Sequence, residues 1–227
     1  KGNCFLIGDA AHQNPPFMGE GMMSGYRDAF NLAWKISYVL NNGFSDSLLD
    51  SYQEERRPHA KFVVENSAGI GELMEAYAKA DDVSDVPEEL VAKGYGSFVL
   101  PNLDAGLFFG GKAIDSMAAG QLFPQILTYE DGQITERRDH LFGDGFTLIS
   151  QNDIVICDEH REFLSKLNST YLVLDEEIIL SNPWVKAFLE LGDTFIVRPD
   201  KYIYGCSGND VSLEQLIEDL KLRMKKT

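Results

Sequence analysis

The residues best placed to do chemistry lie within the first 35 positions. Phe5-Leu6-Ile7 leads into Gly8-Asp9-Ala10-Ala11-His12, then Pro15-Pro16, Gly19-x-Gly21, and a run ending Asn31-Leu32-Ala33-Trp34-Lys35. Gly8 lets the chain turn tightly where a strand would end. Asp9 then presents a carboxylate just beyond a strand's C-terminal end, where α/β sheets bind ligands, and it can accept hydrogen bonds from a sugar-like diol. Gly19 and Gly21 strip side chains from the entrance to a helix. Bare amides there, reinforced by the macrodipole, suit developing negative charge, such as that of a flat heterocycle made anionic by reduction. Taken singly, each residue has a plainer reading. Asp9 and the glycines serve as turn residues, His12 as a structural hydrogen-bonding group, and Glu20 as a complement to the helix dipole. Arg27 and Asp28, adjacent on a helix, point to different sides and read as structural, and Trp34 as core. Gly19-x-Gly21-x-x-x-Gly25 is not the dinucleotide fingerprint, because its last spacing is one residue too long.

These residues need elements to hold them. Cys4 to Ile7 reads as a short buried strand. Pro15 and Pro16 exclude a helix across the following loop. From Met22 to Leu40 the pattern is helical, with Tyr26, Ala29, Phe30, Ala33, Ile36, Ser37 and Leu40 on one apolar face, widened by Trp34 and Val39. That width predicts a helix buried on most sides. Asn41-Asn42-Gly43 ends it. Ser45 or Asp46 caps a second helix, which Pro58 should kink or break. Helical spacing resumes from Phe62 to Tyr77. Residues 80–89 read as an acidic loop and residues 90–118 as an irregular, Gly-rich connection.

After Gly120 the character changes. Thr147–Ile149, Ile154–Ile156, Tyr171–Leu174 and Phe195–Val197 are short runs rich in β-branched residues. Glu159–Leu167, Pro183–Leu191 and Ser212–Lys225 have helical periodicity, and Ser212 with Gln215 forms a capping box. Strands alternating with helices predict a small α/β layer domain.

Composition narrows the function classes. The chain has 227 residues, 44% of them hydrophobic, enough for a sizeable core. Its net charge of −16, spread along the whole length, argues against nucleic acid and against an anionic membrane surface. No run of about 18 apolar residues reads as a membrane span. Cys4, Cys157 and Cys206 are too few and too scattered for a disulfide framework and fit a reducing cytoplasm. His12, His59, His140 and His160 show no zinc-ligand spacing, so no metal site is expected.

Taken together, the motifs resemble those of the single-component FAD-dependent aromatic hydroxylases, the group built like para-hydroxybenzoate hydroxylase. Gly8-Asp9-Ala10-Ala11-His12 is similar to that family's Gly-Asp motif. Pro15-Pro16 and Gly19-x-Gly21 are similar to the loop that follows it. Residues 27–35 and 49–57 extend the likeness, with the branch acting on 3-(3-hydroxyphenyl)propionate as the nearest match. Weaker pieces, at 120–125, 145–149 and 197–200, resemble the thioredoxin-like domain of larger members. The resemblance implies an α/β chain in two parts. Residues 1–115 would be the C-terminal part of a Rossmann-like FAD-binding monooxygenase domain, and 116–227 a thioredoxin-like domain without Cys-x-x-Cys.

The resemblance also implies roles. Gly8 and Asp9 would hold FAD, with Asp9 on its ribityl or ribose hydroxyls. Gly19 and the backbone of Gly21, Met22 and Met23 would face the flavin pyrimidine edge. Pro15 and Pro16 would line the junction with substrate, the Pro16 carbonyl approaching a phenolic hydroxyl as the catalytic contact. NADH or NADPH would reduce the flavin, O2 would give a flavin 4a-hydroperoxide, and a phenol would take its distal oxygen. Met22-Met23 replaces a common Leu-Asn pair, which removes any side-chain contact by that Asn. Glu20 replaces a common Gln or Lys and adds an acid near the flavin edge.

The chain carries no Gly-x-Gly-x-x-Gly strand-turn-helix and opens within an element. It therefore reads as the latter portion of a longer protein, expected to bind FAD weakly or not at all by itself. Two alternatives follow from the same residues. One is a non-catalytic thioredoxin-like assembly module that forms a homodimer. The other is a hydroxylase of the same flavoprotein class acting on a polyketide or antibiotic.

Overall fold

The computed structural model describes residues 4–94, 99–114 and 117–225. The chain separates into two compact units. The first comprises residues 1–33 and 52–101, and the second 34–51 and 102–227. Both units take part of a long helix: α1 (Glu20–Asn42) passes from the first into the second, and α2 (Asp50–Lys79) passes back.

In the first unit, α1 begins where the loop glycines end and α2 returns the chain. The buried face of α1 is not the apolar stripe that the periodicity selects. Tyr26 and Phe30 on that stripe are exposed, as are Met22 and Met23, and the buried side chains are Ser24, Asp28, Asn31 and Leu32. The polar residues among them take this position because α2 supplies partners. Asn31 Nδ2 donates to Glu55 Oε2 at 2.6 Å, and Arg56 Nε donates to Asp28 Oδ1 at 2.8 Å. A buried polar group costs little once it is paired.

Two further expectations need correction here. Pro58 does not break α2, which runs unbroken through it. Proline removes one N–H, but Gln53, Glu54, Arg57 and Pro58 all lie on the exposed side, where water can take the freed carbonyl. The neighbours Glu55 and Arg56 are anchored by the bonds above. Residues 4–7 are extended but form no strand, and Leu6 and Ile7 are exposed. An extended segment becomes a strand only when another takes its ladder hydrogen bonds, and this one is part of neither described sheet. It is held instead by Tyr52, whose hydroxyl donates to the Leu6 carbonyl at 2.7 Å and whose ring meets Phe5 edge-on. In the 80–89 loop, Asp82 and Asp85 form a capping box around one 3-10 turn. A short helix, α3 (Glu88–Gly94), occupies the start of the segment read as irregular. The rest of that segment has no long element among its described residues; 95–98 and 115–116 lie outside them.

In the second unit a hairpin of β1 (Leu127–Glu130) and β2 (Gln133–Arg137) precedes the main sheet. Asp131 and Gly132 join them with positive φ at both positions, as a tight hairpin turn needs. The sheet contains β3 (Thr147–Ser150), β4 (Thr170–Val173), β5 (Thr194–Val197) and β6 (Ile203–Cys206), in the order β4-β3-β5-β6. β3 and β4 pair in parallel across α4 (Asp158–Lys166), while β3–β5 and β5–β6 are antiparallel. After β4 come α5 (Glu176–Ser181) and α6 (Pro183–Leu189), and α7 (Leu213–Met224) closes the unit. This β-α-β, hairpin, helix order is the thioredoxin-like layer predicted above.

Strands β3 and β5 are buried at every position, around the apolar residues Leu148, Ile149, Phe195, Ile196 and Val197 and with Thr147, Ser150 and Thr194 buried at their ends. Ile154–Ile156 is not a strand. Val155 is exposed, and the segment is the lead into α4. The capping box predicted at Ser212 and Gln215 is present, with both bonds made. Cys157 stands exposed at the start of α4. Cys206 is buried in β6, where desolvation pushes its thiol up to about 11, so it stays protonated at neutral pH.

Candidate functional site

The Gly8-Asp9-Ala10 segment is one 3-10 turn directly after the extended run. Gly8 has φ +55°, a left-handed conformation that a Cβ would strain. A Cβ built on Gly25 would stand 3.3 Å from the Gly8 Cα, so the turn rests on the backbone of α1. Two amides, of Ala11 and His12, return to the Gly8 carbonyl at 2.8 and 3.0 Å. Asp9 is left exposed, its carboxylate free to meet a ligand.

Asp28 ties this turn down. Its carboxylate is buried and accepts the Gly8 N–H at 3.0 Å, the His12 Nε2 at 2.7 Å and the Arg56 Nε at 2.8 Å. One side chain thereby joins the turn, the loop, α1 and α2. His12 is the structural hydrogen-bonding residue expected of it. Arg56 Nη1 and Nη2 are buried without a partner among the described residues, so Asp28 carries most of the compensation for that charge.

The loop then doubles back. Pro16 is exposed and its carbonyl accepts the Gly19 N–H at 3.4 Å. Met18 has φ +80°, an unusual conformation for a residue with a side chain. Gly19 is open on all sides, with nothing within 4 Å of a built Cβ. From Glu20 the chain is helical, so the amides of Gly21 and Met22 lie in the first turn of α1, where helix N–H groups have no internal partner. The side chains of Met22 and Met23 point into solvent, and only their backbone is placed to act. Glu20 pairs with Arg27 Nη1 at 2.8 Å, which offsets the acid that the sequence puts at this edge. Asn14, half-buried beside Gly21, keeps both amide atoms buried and unpartnered. Gly8 thus packs on α1, Asp9 follows it in the turn, Gly19 precedes the helix with Gly21 and Met22 in its first turn, and Pro15 and Pro16 lie on the loop between.

His59 lies on α2 one turn beyond Arg56. Burial, then the positive charges of Arg56 and Arg27, pull its pKa down to about 3 against the opposing pull of Asp28. The unfolded chain binds this proton near pH 6.5 and the folded chain does not until about pH 3. Stability is therefore fully present above pH 6.5 and is lost as pH falls below it, by about 1.4 kcal/mol per pH unit. The measurement is urea-unfolding free energy against pH from 6.5 down to about 5, where few carboxylates yet titrate. His59→Leu should flatten that slope; parallel slopes would refute the assignment.

Residues that the sequence reading missed are Glu55, Arg56, His59 and Ser67 on α2. The signal was available: Ser51, Tyr52, Glu55, Arg56, His59, Ala60 and Val63 recur at helical spacing and form its buried face. Among the described residues no three His, Cys, Asp or Glu side chains cluster to hold a metal, and no helix is long and apolar enough to cross a membrane.

Residues 1–67, which hold the glycine turn, the helix entry and most of the two long helices, match the family described as FAD binding domain, and the chain is similar to FAD-dependent aromatic hydroxylases. Over 233 aligned residues the chain is 30% identical to the probable NADH-specific resorcinol 4-hydroxylase of Rhodococcus jostii, covering 95% of this chain and 42% of that protein. Over 69 residues it is 52% identical to a 3-(3-hydroxy-phenyl)propionate/3-hydroxycinnamic acid hydroxylase of Klebsiella pneumoniae, covering 30% of this chain and 12% of that protein.

Among solved structures, RebC-10x with bound 7-carboxy-K252c superposes with a TM-score of 0.70 at 22% identity, over 98% of this chain and 46% of that one. Aklavinone-11 hydroxylase, in a complex with FAD and aklavinone, does so with a TM-score of 0.61 at 22% identity, over 99% and 44%. These two likenesses show the fold. The chain spans less than half the length of the relatives it matches.

The residues present fit FAD. An exposed carboxylate sits on a turn that no side chain crowds, a helix N-terminus is stripped of bulk at Gly19 and Gly21, and the Asn14 amide has a donor and an acceptor unspent beside it.

Proposed function

We propose that this chain is the C-terminal portion of an FAD-dependent monooxygenase that hydroxylates a phenol at the expense of NADH and O2. The balance is phenol, O2, NADH and a proton going to the diol, water and NAD+. Bound FAD would supply the electron transfer and the oxygen activation. The observation that carries the reading is the Gly8-Asp9 turn, packed on Gly25 of α1 and leaving Asp9 exposed.

In this reading Asp9 accepts hydrogen bonds from the sugar-like hydroxyls of FAD. Gly8 and Gly19 give the backbone room to approach the cofactor. The first-turn amides of Gly21 and Met22, with Met23 following, face the edge of the ring system that gains negative charge. Pro15 and Pro16 border the substrate, and the Pro16 carbonyl accepts the phenolic hydrogen, which orients the ring and raises electron density on it. The flavin side lies in the first unit, and the second unit, which also takes in residues 34–51 and 102–115, holds the thioredoxin-like part.

Two relatives support a substrate class. Resorcinol and 3-(3-hydroxyphenyl)propionate are both phenols with a second substituent meta to the hydroxyl, and we assign that class here. NADH is preferred as reductant because the relative aligned along nearly the whole chain is named as NADH-specific.

The test is Asp9→Ala in the complete protein, with FAD binding followed by the quenching of free-flavin fluorescence. Losing charge-assisted bonds to two hydroxyls should weaken binding by about tenfold to a hundredfold. An unchanged FAD affinity would remove the central support for the reading.

A further inference from the structure

The hold on the proline loop comes from α2, through two residues one helical turn apart. Ser67 is fully buried, and its hydroxyl lies 2.9 Å from the Pro15 carbonyl oxygen and 2.6 Å from that of Phe17. A serine hydroxyl has one hydrogen, so both carbonyls converge on a single donor. Four residues on, Gly71 has no side chain. A Cβ there would stand 2.5 Å from Phe17 Cε2 and 2.9 Å from Cδ2, so the Phe17 ring lies directly against the helix. The loop is therefore gripped twice, by its carbonyls and by an aromatic ring, on either side of Pro16.

We propose that Ser67 is a positioning residue for the phenol: it fixes the peptide groups of Pro15 and Phe17 and thereby sets where the Pro16 carbonyl stands. The inference rests on the reading of Pro16 as the phenol contact. Ser67 itself touches neither substrate nor cofactor in this account. Its carbonyl partners flank Pro16 directly, so a change at Ser67 alters phenol binding before it alters the Gly8-Asp9 turn. That turn is held separately, through Asp28.

The experiment uses the complete, flavin-loaded protein and two readouts. FAD affinity is measured by fluorescence. Affinity for resorcinol and for 3-(3-hydroxyphenyl)propionate is measured by the perturbation each causes in the flavin visible spectrum. In Ser67→Ala, phenol affinity should fall by about tenfold while FAD affinity stays within about twofold. Gly71→Ala, which must displace the Phe17 ring, should give the same split. Ser67→Thr, which keeps the hydroxyl, should recover part of the phenol affinity. Unchanged phenol binding in both Ser67→Ala and Gly71→Ala overturns the proposal, as does a parallel loss of FAD and phenol, which would mark a role in folding alone. A wild-type protein that binds FAD but neither phenol refutes the substrate reading instead, and the inference with it.

Discussion

Asp28→Ala is expected to cost about 3–5 kcal/mol of unfolding free energy and to loosen the Gly8-Asp9 turn. The size follows from what the carboxylate does. It is the acceptor for a backbone amide, an imidazole and a guanidinium in one buried place. Removing it leaves the Arg56 charge buried with Nη1 and Nη2 already unpaired, so little remains to offset desolvation. Breaking one half of such a pair costs far more than replacing both halves. The double variant Asp28→Leu with Arg56→Met should therefore be less destabilised than Asp28→Ala, although it loses more polar contacts. Asp28→Asn keeps one acceptor oxygen but turns a donor either toward Arg56 Nε or toward the Gly8 amide and His12 together, and should fall between wild type and Asp28→Ala. Urea unfolding followed by far-UV circular dichroism measures all three. A loss below about 1 kcal/mol in Asp28→Ala would place the pair among surface-like ion pairs and refute the argument.

Arg198→Ala should cost a similar amount in the second unit. The Arg198 side chain is fully buried, and its guanidinium meets the Asp200 carboxylate through Nε at 3.0 Å and Nη2 at 2.6 Å. Nη1 donates to the Leu107 carbonyl at 3.2 Å. The rings of Phe108, Trp34 and Tyr202 lie 5.1, 5.4 and 5.7 Å from its central carbon. Alanine would leave Asp200, itself almost wholly buried, without this cation and would open a cavity among three aromatic rings. Lysine keeps the charge but not the planar fork, so Arg198→Lys should recover only part of the loss. The readout is the thermal midpoint together with near-ultraviolet dichroism, which reports Trp34 and Tyr202 directly. If Arg198→Lys matches wild type, the two-pronged geometry is not what matters.

How much could be read beforehand differs between the two units, for a physical reason. In the second unit the sheet is buried on its central strands, and burial writes itself into sequence as β-branched and apolar runs such as Thr147–Ile149 and Phe195–Val197. Strand β6 escaped because Ile203-Tyr204-Gly205-Cys206 is interrupted by a glycine. The β1–β2 hairpin escaped although Asp131-Gly132 is a strong turn signal, because its strands are short and largely exposed. In the first unit the rule fails in an instructive way. The inward face of α1 carries Asp28 and Asn31, and hydrophobic periodicity cannot see a face held by hydrogen bonds. Pairing between α1 and α2 decides that face, and pairing is not a local property. The chemistry-bearing turn was legible because glycine, aspartate and proline are chosen there by backbone geometry. Ser67 was not, because one serine on a long helix has no pattern to betray it.

The division of the long helices has a consequence for how the chain is made. Residues 34–51 belong to the second unit, where Trp34, Tyr38 and Leu48 enter its core and the Ser45 amide donates to the Met224 carbonyl at 3.2 Å. At ribosomal speeds of roughly 5–20 residues per second, these early residues wait on the order of ten seconds for their partners to emerge. During that interval an indole, a phenol and a leucine side chain have no native core to enter. Trp34 and Tyr38 meet Phe146, so the stretch of synthesis from α1 to β3 is when a chaperone would find them open.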